Sequence, residues 1–195
     1  MKRLLFLLWI TPVAAQSLSA TSSGPGLSMP TLPRGSSVYI DQVGNGNNIF
    51  VEQVTGGTPQ ATILNQGDNN NLTIVQEGSG DHQAFIGTPP TGMGLNATLN
   101  TNTSAANNNN NTLTILQNGS GNHTAAINLD ASTSNNNNIA TITQTGDANK
   151  NFTLNLSGSG IGATVLQDNP LTPDSGSMSI QCLTPPCSGY SYTKH

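Results

Sequence analysis

A short pattern recurs along this 195-residue chain: alternating apolar and polar residues, a glycine, two or three turn-forming residues, then alternation again. The first copy reads Gln42-x-Gly44-x-x-Asn47-x-Ile49-x-Val51-x-Gln53. Further copies run Leu72, Ile74, Gln76, Gly78; Leu113, Ile115, Gln117, Gly119, Asn122; and Ile142, Gln144, Gly146, Asn149. Weaker ones centre on Gly67 and on Gly158, the latter followed by Val165 and Gln167. Alternation with period two is the signature of a strand with two different faces. Gly beside Asn or Asp marks a tight reversal, because those residues tolerate positive φ. The unit is therefore strand-turn-strand, and its period is about 22 residues.

One such hairpin is too small to be stable in water. Its inward stripe (Ile49, Val51, Leu72, Ile74, Leu113, Ile115, Ile142 and Val165) is buried only if the units stack. Stacking at the ~4.8 Å strand spacing also places like amides above one another, where they can hydrogen-bond along the stack. That accounts for polar residues at inward positions, with a ladder expected from Gln42, Asn47, Gln53, Gln76, Gln117, Asn122, Gln144, Asn149 and Gln167. The expected fold is all-β: a stacked strand-turn-strand β-solenoid of about five to six rungs with two facing parallel sheets. Strands are expected near residues 37–42, 48–54, 61–65, 71–76, 82–86, 95–100, 112–117, 123–129, 139–144, 151–156 and 162–167, with a twelfth near 177–181. The expected turn glycines are Gly44, Gly67, Gly78, Gly119, Gly146 and Gly158. The stretches Gly56–Gln60, Gly87–Gly94, Thr101–Asn110 and Asp130–Asn137 read as insertions at rung edges.

Composition agrees with a thin core. Only 7% of residues are charged, 4% are aromatic and 34% are hydrophobic. Residues 1–15 read as a signal peptide: Lys2 and Arg3, an apolar run from Leu4 to Ile10, then Val13-Ala14-Ala15. The apolar run is far below the ~20 residues of a membrane span, so no transmembrane segment is expected. Cleavage after Ala15 would leave three Lys/Arg against nine Asp/Glu, which argues against a nucleic-acid partner. Residues 16–35 read as a flexible Ser/Pro/Gly-rich linker, 36–168 as the repeat domain, and 169–195 as a Pro/Cys-containing tail or cap. Cys182 and Cys187 sit in that tail, where export makes a disulfide available.

The repeat resembles that of the curlin family, Ser-x5-Gln-x-Gly-x-x-Asn-x-Ala-x3-Gln. Ser36, Gln42, Gly44, Asn47 and Gln53 follow it, with Ile49 at the Ala position. Gln76/Gly78, Gln117/Gly119 and Gln144/Gly146 fit its centre, with Asn70, Asn111 and Asn138 where Ser is usual and Asn128 and Asn155 at the closing Gln positions. The resemblance spans residues 36–168. It implies a secreted subunit that self-assembles into extracellular amyloid fibres at the bacterial cell surface, for biofilm matrix, adhesion and surface attachment. Its implied partners are copies of itself, a nucleator subunit and an outer-membrane secretion pore. The edge insertions, the linker and the cysteine-bearing tail depart from the family pattern. The Pro-rich tail and its cysteines, placed to cap the last rung, motivate an alternative: a monomeric β-solenoid adhesin or polysaccharide-binding module with capped ends.

No catalytic grouping is apparent, so no enzyme activity, cofactor or metal is expected. His82 and His123 hold equivalent turn-exit positions and read as solvated turn residues. Gly78-Ser-Gly80-Asp81 has the wrong spacing for a calcium nonapeptide, and calcium needs several oxygens per ion.

Overall fold

The computed structural model describes residues 3–7, 16–22, 37–55, 57–87, 108–130 and 132–195. Fourteen strands and no helix occur among them. They are β1 (Arg3–Leu7), β2 (Gln16–Ser22), β3 (Ser37–Val43), β4 (Asn47–Thr55), β5 (Gln60–Gln66), β6 (Asn71–Gly78) and β7 (Gln83–Gly87). The second half holds β8 (Thr112–Gly119), β9 (His123–Leu129), β10 (Ile139–Thr145), β11 (Lys150–Gly158), β12 (Ile161–Gln167), β13 (Asp174–Cys182) and β14 (Cys187–Lys194).

Odd strands form one sheet in the order β1-β3-β5-β7-β9-β11-β13, and even strands the other, β2-β4-β6-β8-β10-β12-β14. We call them the odd and even sheets. From β3 to β14 every pairing is parallel. Each turn of the chain therefore adds one strand to each sheet, and the result is a parallel β-solenoid. Five turns run from β3 to β12, and β13 with β14 completes a sixth rung. No helix among the described residues is long and apolar enough to cross a membrane.

The core follows from side-chain parity. In the even sheet, Ile49, Leu72, Leu113, Ala140 and Ala163 form one inward column; Val51, Ile74, Ile115, Ile142 and Val165 form the next. In the odd sheet, Ile40, Ile63, Ile86, Ile127 and Leu154 form the facing one. All belong to one buried cluster, and the expected core stripe lies wholly within it. The column of Ala61, Ala84 and Ala125 then meets Phe152, whose ring needs space. Gly176 on the next strand supplies it: a Cβ there would lie 2.7 Å from Phe152 Cε2. Tyr192 fills the remainder, its ring 4.8 Å from that of Phe152.

Eleven expected strands fall on observed ones, some a residue or two longer; that at 95–100 lies outside the described residues. The observed pairing puts β7 and β8 on the third rung, so 112–117 belongs to the even sheet. Gln16–Ser22, expected to be linker, forms β2 and pairs antiparallel with β4. Within the segment read as a signal peptide, Arg3–Leu7 forms β1 and pairs antiparallel with β3. The tail supplies the sixth rung, with Cys182 bonded to Cys187 across its turn.

Extra residues do lie at Thr101–Asn110 and Asp130–Asn137, the stretches expected as insertions, but the Asn residues that close them are regular turn positions. Asn108–Asn111 and Asn135–Asn138 are the turns themselves, stacked on Gly67–Asn70. Likewise Gly57–Gln60 is an ordinary turn: Gly57 stacks on Gly80, and Gly80 on Gly121. Equivalent turn residues lie 23, 41, 27 and 23 positions apart along the chain. The unit is thus 23 residues, and the extra length sits between β7 and β8 and between β9 and β10.

All six expected turn glycines have positive φ, from 104° to 136°. At Gly119, with φ 135°, a Cβ would sit 2.1 Å from the Gly146 carbonyl oxygen, so the close stacking of turns also demands glycine. Elsewhere asparagine takes the left-handed position: Asn69, Asn110 and Asn137 have φ of 58°, 55° and 56°. Asn110→Gly should therefore leave stability within about 0.5 kcal/mol, whereas Asn110→Val should cost about 1–2 kcal/mol. Urea denaturation midpoints compare the two; equal midpoints would mean the backbone there is not held in this conformation.

Candidate functional site

The chemistry of this chain is concentrated in columns of polar side chains that run along the stack. The longest lies inside the even sheet. Gln53 Nε2 donates to Gln76 Oε1 at 2.8 Å, Gln76 to Gln117 at 2.9 Å, Gln117 to Gln144 at 2.9 Å, and Gln144 to Gln167 at 2.8 Å. Every member is buried. The second amide hydrogen is also used: Gln76, Gln117 and Gln144 donate to the backbone carbonyls of Gln60, Gln83 and Thr124 in the facing sheet. Parity places each glutamine inward, and stacking gives its amide both a donor and an acceptor neighbour. That removes the cost of burying it.

A second column occupies the corner between the odd and even sheets. Asn47 Oδ1 accepts from the backbone N–H of Asn70, Asn70 from Asn111, Asn111 from Asn138, and Asn138 from Ile161. Their amide nitrogens bond the carbonyls of Gly67, Asn108, Asn135 and Gly158 in turn. One residue type thus satisfies both the turn below and the turn above. Outside it runs a more exposed column in which Asp68 accepts from Asn45 N–H, Asn109 from Asp68 N–H and Asn136 from Asn109 N–H.

The opposite corner carries the same device. Asp81 accepts from Thr58, Asn122 from Asp81, and Asn149 from Asn122. Asn122 and Asn149, expected in the ladder, thus belong to an exposed turn column. The two hydrogen bonds from Thr58 hold the Asp81 carboxyl below its usual pKa.

One residue further on lies a column that sequence parity should have shown as buried. His82, His123, Lys150 and Asp174 precede inward residues by two positions, as in His82-x-Ala84-x-Ile86. All four are less than 5% exposed. The reading of both histidines as solvated turn residues is therefore corrected. Their rings stack with centroids 4.9 Å apart. His82 Nε2 faces the Glu77 carbonyl at 2.7 Å, and His123 Nε2 that of Asn118 at 3.2 Å. A carbonyl only accepts, so in the neutral ring Nε2 carries the proton. Nδ1 of each ring is buried without a hydrogen-bond partner. Burial lowers both pKa values, that of His123 to about 4, with His82 and Lys150 adding to the effect. Lys150 Nζ donates to the carbonyls of Asn169 and Thr172 at 2.5 and 2.7 Å, which fixes the loop leading into the sixth rung.

At the C-terminal end the glutamine ladder stops. Gln167 donates to Asp174 Oδ2 at 2.6 Å, and Lys194 Nζ bonds Asp174 Oδ1 at 2.9 Å. Burial raises the Asp174 pKa, but the bonds from Lys194 and Gln167 outweigh it and the net shift is downward. Lys194 stands where a sixth glutamine would stand, since it is the register partner of Gln167.

Gln42 does not join the glutamine ladder. Its backbone pairs with Asn65 in the odd sheet, whereas Gln53, Gln76, Gln117, Gln144 and Gln167 lie in the even sheet. The turn at Gly44 is half a rung out of phase with those at Gly78, Gly119 and Gly146. Among the described residues no group of three or more His, Cys, Asp or Glu is placed to hold a metal ion. No family model, curated protein or solved structure matches the chain.

Proposed function

We propose that this chain is a secreted structural subunit that self-assembles into extracellular curlin-like amyloid fibres, serving biofilm matrix, adhesion and surface attachment. One observation carries the reading. The monomer is itself a short cross-β stack with in-register amide ladders, and it ends on two strands, β13 and β14, each paired on one side only. Such an edge presents a row of backbone donors and acceptors that another strand can satisfy. Cleavage after Ala15 would remove β1 and leave β3 as the edge at the other end. The resemblance of residues 36–168 to the curlin repeat supports the same reading, together with export through an outer-membrane pore and initiation by a nucleator subunit.

A second reading has its own support. The glutamine ladder closes on an Asp174–Lys194 pair, and a disulfide holds the last turn. Those are features of a capped end, suited to a monomeric adhesin or polysaccharide-binding module. The purified chain, diluted from denaturant, separates the two. Thioflavin-positive fibres with a ~4.7 Å meridional spacing support the subunit. A protein that stays monomeric for days at high concentration would rule it out.

A further inference from the structure

The two outer faces of the solenoid differ. Those of the odd sheet's later strands carry amides already bonded along the stack: Asn128 Nδ2 donates to Asn155 Oδ1 at 2.8 Å, and Asn155 to Ser179 Oγ at 3.1 Å. The even sheet instead sets out a column of threonines, Thr73, Thr114, Thr141 and Thr164, each the register partner of the next. In the columns on either side stand Leu116 and Ile139, 37% and 63% exposed, while Val54, 37% exposed, lies one column further out with Glu77 and Asn118. Among the odd-sheet strand residues whose side chains are described, no large hydrophobic is so exposed. Strands β8, β10 and β12 contain no charged residue. Glu52 and Glu77 confine outward charge on the strands from β4 to β12 to the first two rungs.

We propose that this outward face of the even sheet docks laterally on the same face of a second copy, packing one fibre against another. The proposal rests on the fibre reading above. Size argues for it. The face measures roughly 20 Å across seven residues and about 24 Å along six strands, near 500 Å² in footprint. That is below the ~800 Å² per partner of a standard interface. A single globular partner would be held weakly, whereas a stack of subunits multiplies the area. Shape argues for it as well. Rows of threonine and aliphatic side chains at the ~4.8 Å strand spacing interdigitate only with rows at that spacing, and a second copy provides them.

The test is electron microscopy of fibres grown from the wild-type chain, Ile139→Lys, Leu116→Lys and Thr153→Lys, the last on the odd sheet. Wild type and Thr153→Lys should give paired or bundled fibres. Ile139→Lys and Leu116→Lys should grow at wild-type rates as single filaments, because the new lysines repeat along the fibre and repel those facing them. At about 1 M salt, where the screening length falls to about 3 Å, bundles of both variants should return, which a folding defect would not allow. Bundles unchanged in both even-sheet variants would overturn the proposal, as would dispersal by Thr153→Lys alone. A wild-type chain that forms no fibres would remove the fibre reading and this inference with it; single wild-type filaments would remove only the inference.

Discussion

Gln117→Glu is expected to destabilise the folded chain by about 4 kcal/mol at pH 7, while Gln117→Leu should cost about 2 kcal/mol. Gln117 is 1% exposed and sits mid-ladder. Its amide nitrogen donates to Gln144 Oε1 at 2.9 Å and to the Gln83 carbonyl at 3.0 Å, and its oxygen accepts from Gln76. Glutamate keeps the shape and the bond from Gln76. It turns both donated bonds into close contacts between acceptors and adds a buried charge. Leucine removes the donor without adding charge, so the cost is that of unpaired neighbours, partly offset by apolar burial. The glutamate variant should recover toward the leucine level as pH falls and the carboxyl protonates, since a protonated carboxyl donates again. Urea midpoints of freshly refolded monomer between pH 7 and pH 4 measure this. A glutamate variant as stable as wild type at pH 7 would show that the ladder does not contribute to the fold.

The consequence for assembly is separate. If fibres propagate through the same ladder, a single acceptor-only residue breaks register in every subunit. The natural ladder already ends this way, on the Asp174 carboxylate, but there Lys194 compensates the charge at 2.9 Å. The contrast shows what a ladder terminus requires: an acceptor for the last amide and a cation beside it.

Much of the fold was legible because period two is a strong signal and each glycine marked a turn. Parity alone identified Ile49, Val51, Leu72 and Ile74 as inward, and all four are buried. Phase was harder. The Gln-x-Gly motif occurs at both corners of the rung, so Gln42-Gly44 and Gln76-Gly78 look alike while lying on opposite edges. Only strand pairing tells them apart. The Asn runs were misread for a related reason. Composition alone cannot separate a spacer from a turn, whereas the left-handed φ at Asn110 and Asn137 and the bonds from Asn111 and Asn138 show each residue's place. Of the last rung, the alternation near 177–181 marked β13, whereas β14 was not legible, because Gly176 and Tyr192 answer Phe152, a compensation across strands that no local pattern contains. His82 and His123 were missed although their parity matches Ala84 and Ala125, since a turn-exit histidine is usually solvated.

That buried pair gives the second large effect, a loss of stability on mild acidification. His123 has a pKa of about 4 in the folded chain, against an ordinary value near 6.5, and His82 is also lowered. Burial is the main cause in both. Asp81 favours a charged His82, while His82 and Lys150 disfavour a charged His123. Between pH 6.5 and 4 the unfolded chain therefore binds protons that the folded chain refuses, so stability falls as pH falls. The stabilisation is complete above pH 6.5 and has gone by about pH 4. A shift of this size is worth about 3 kcal/mol for a group sealed from solvent and less where water relaxes around it, so about 2 kcal/mol is expected from His123. Below pH 4 the carboxylates of Asp81, Asp130 and Asp174, whose pKa values are lowered, extend the loss as they protonate. Replacing both histidines by phenylalanine keeps a stacked pair and removes the titration. The variant should lose about 1 kcal/mol per carbonyl bond at pH 7 and show a flat profile from pH 6.5 to 4.5. Urea midpoints across that range decide it: a double variant as acid-sensitive as wild type would place the proton uptake elsewhere in the stack.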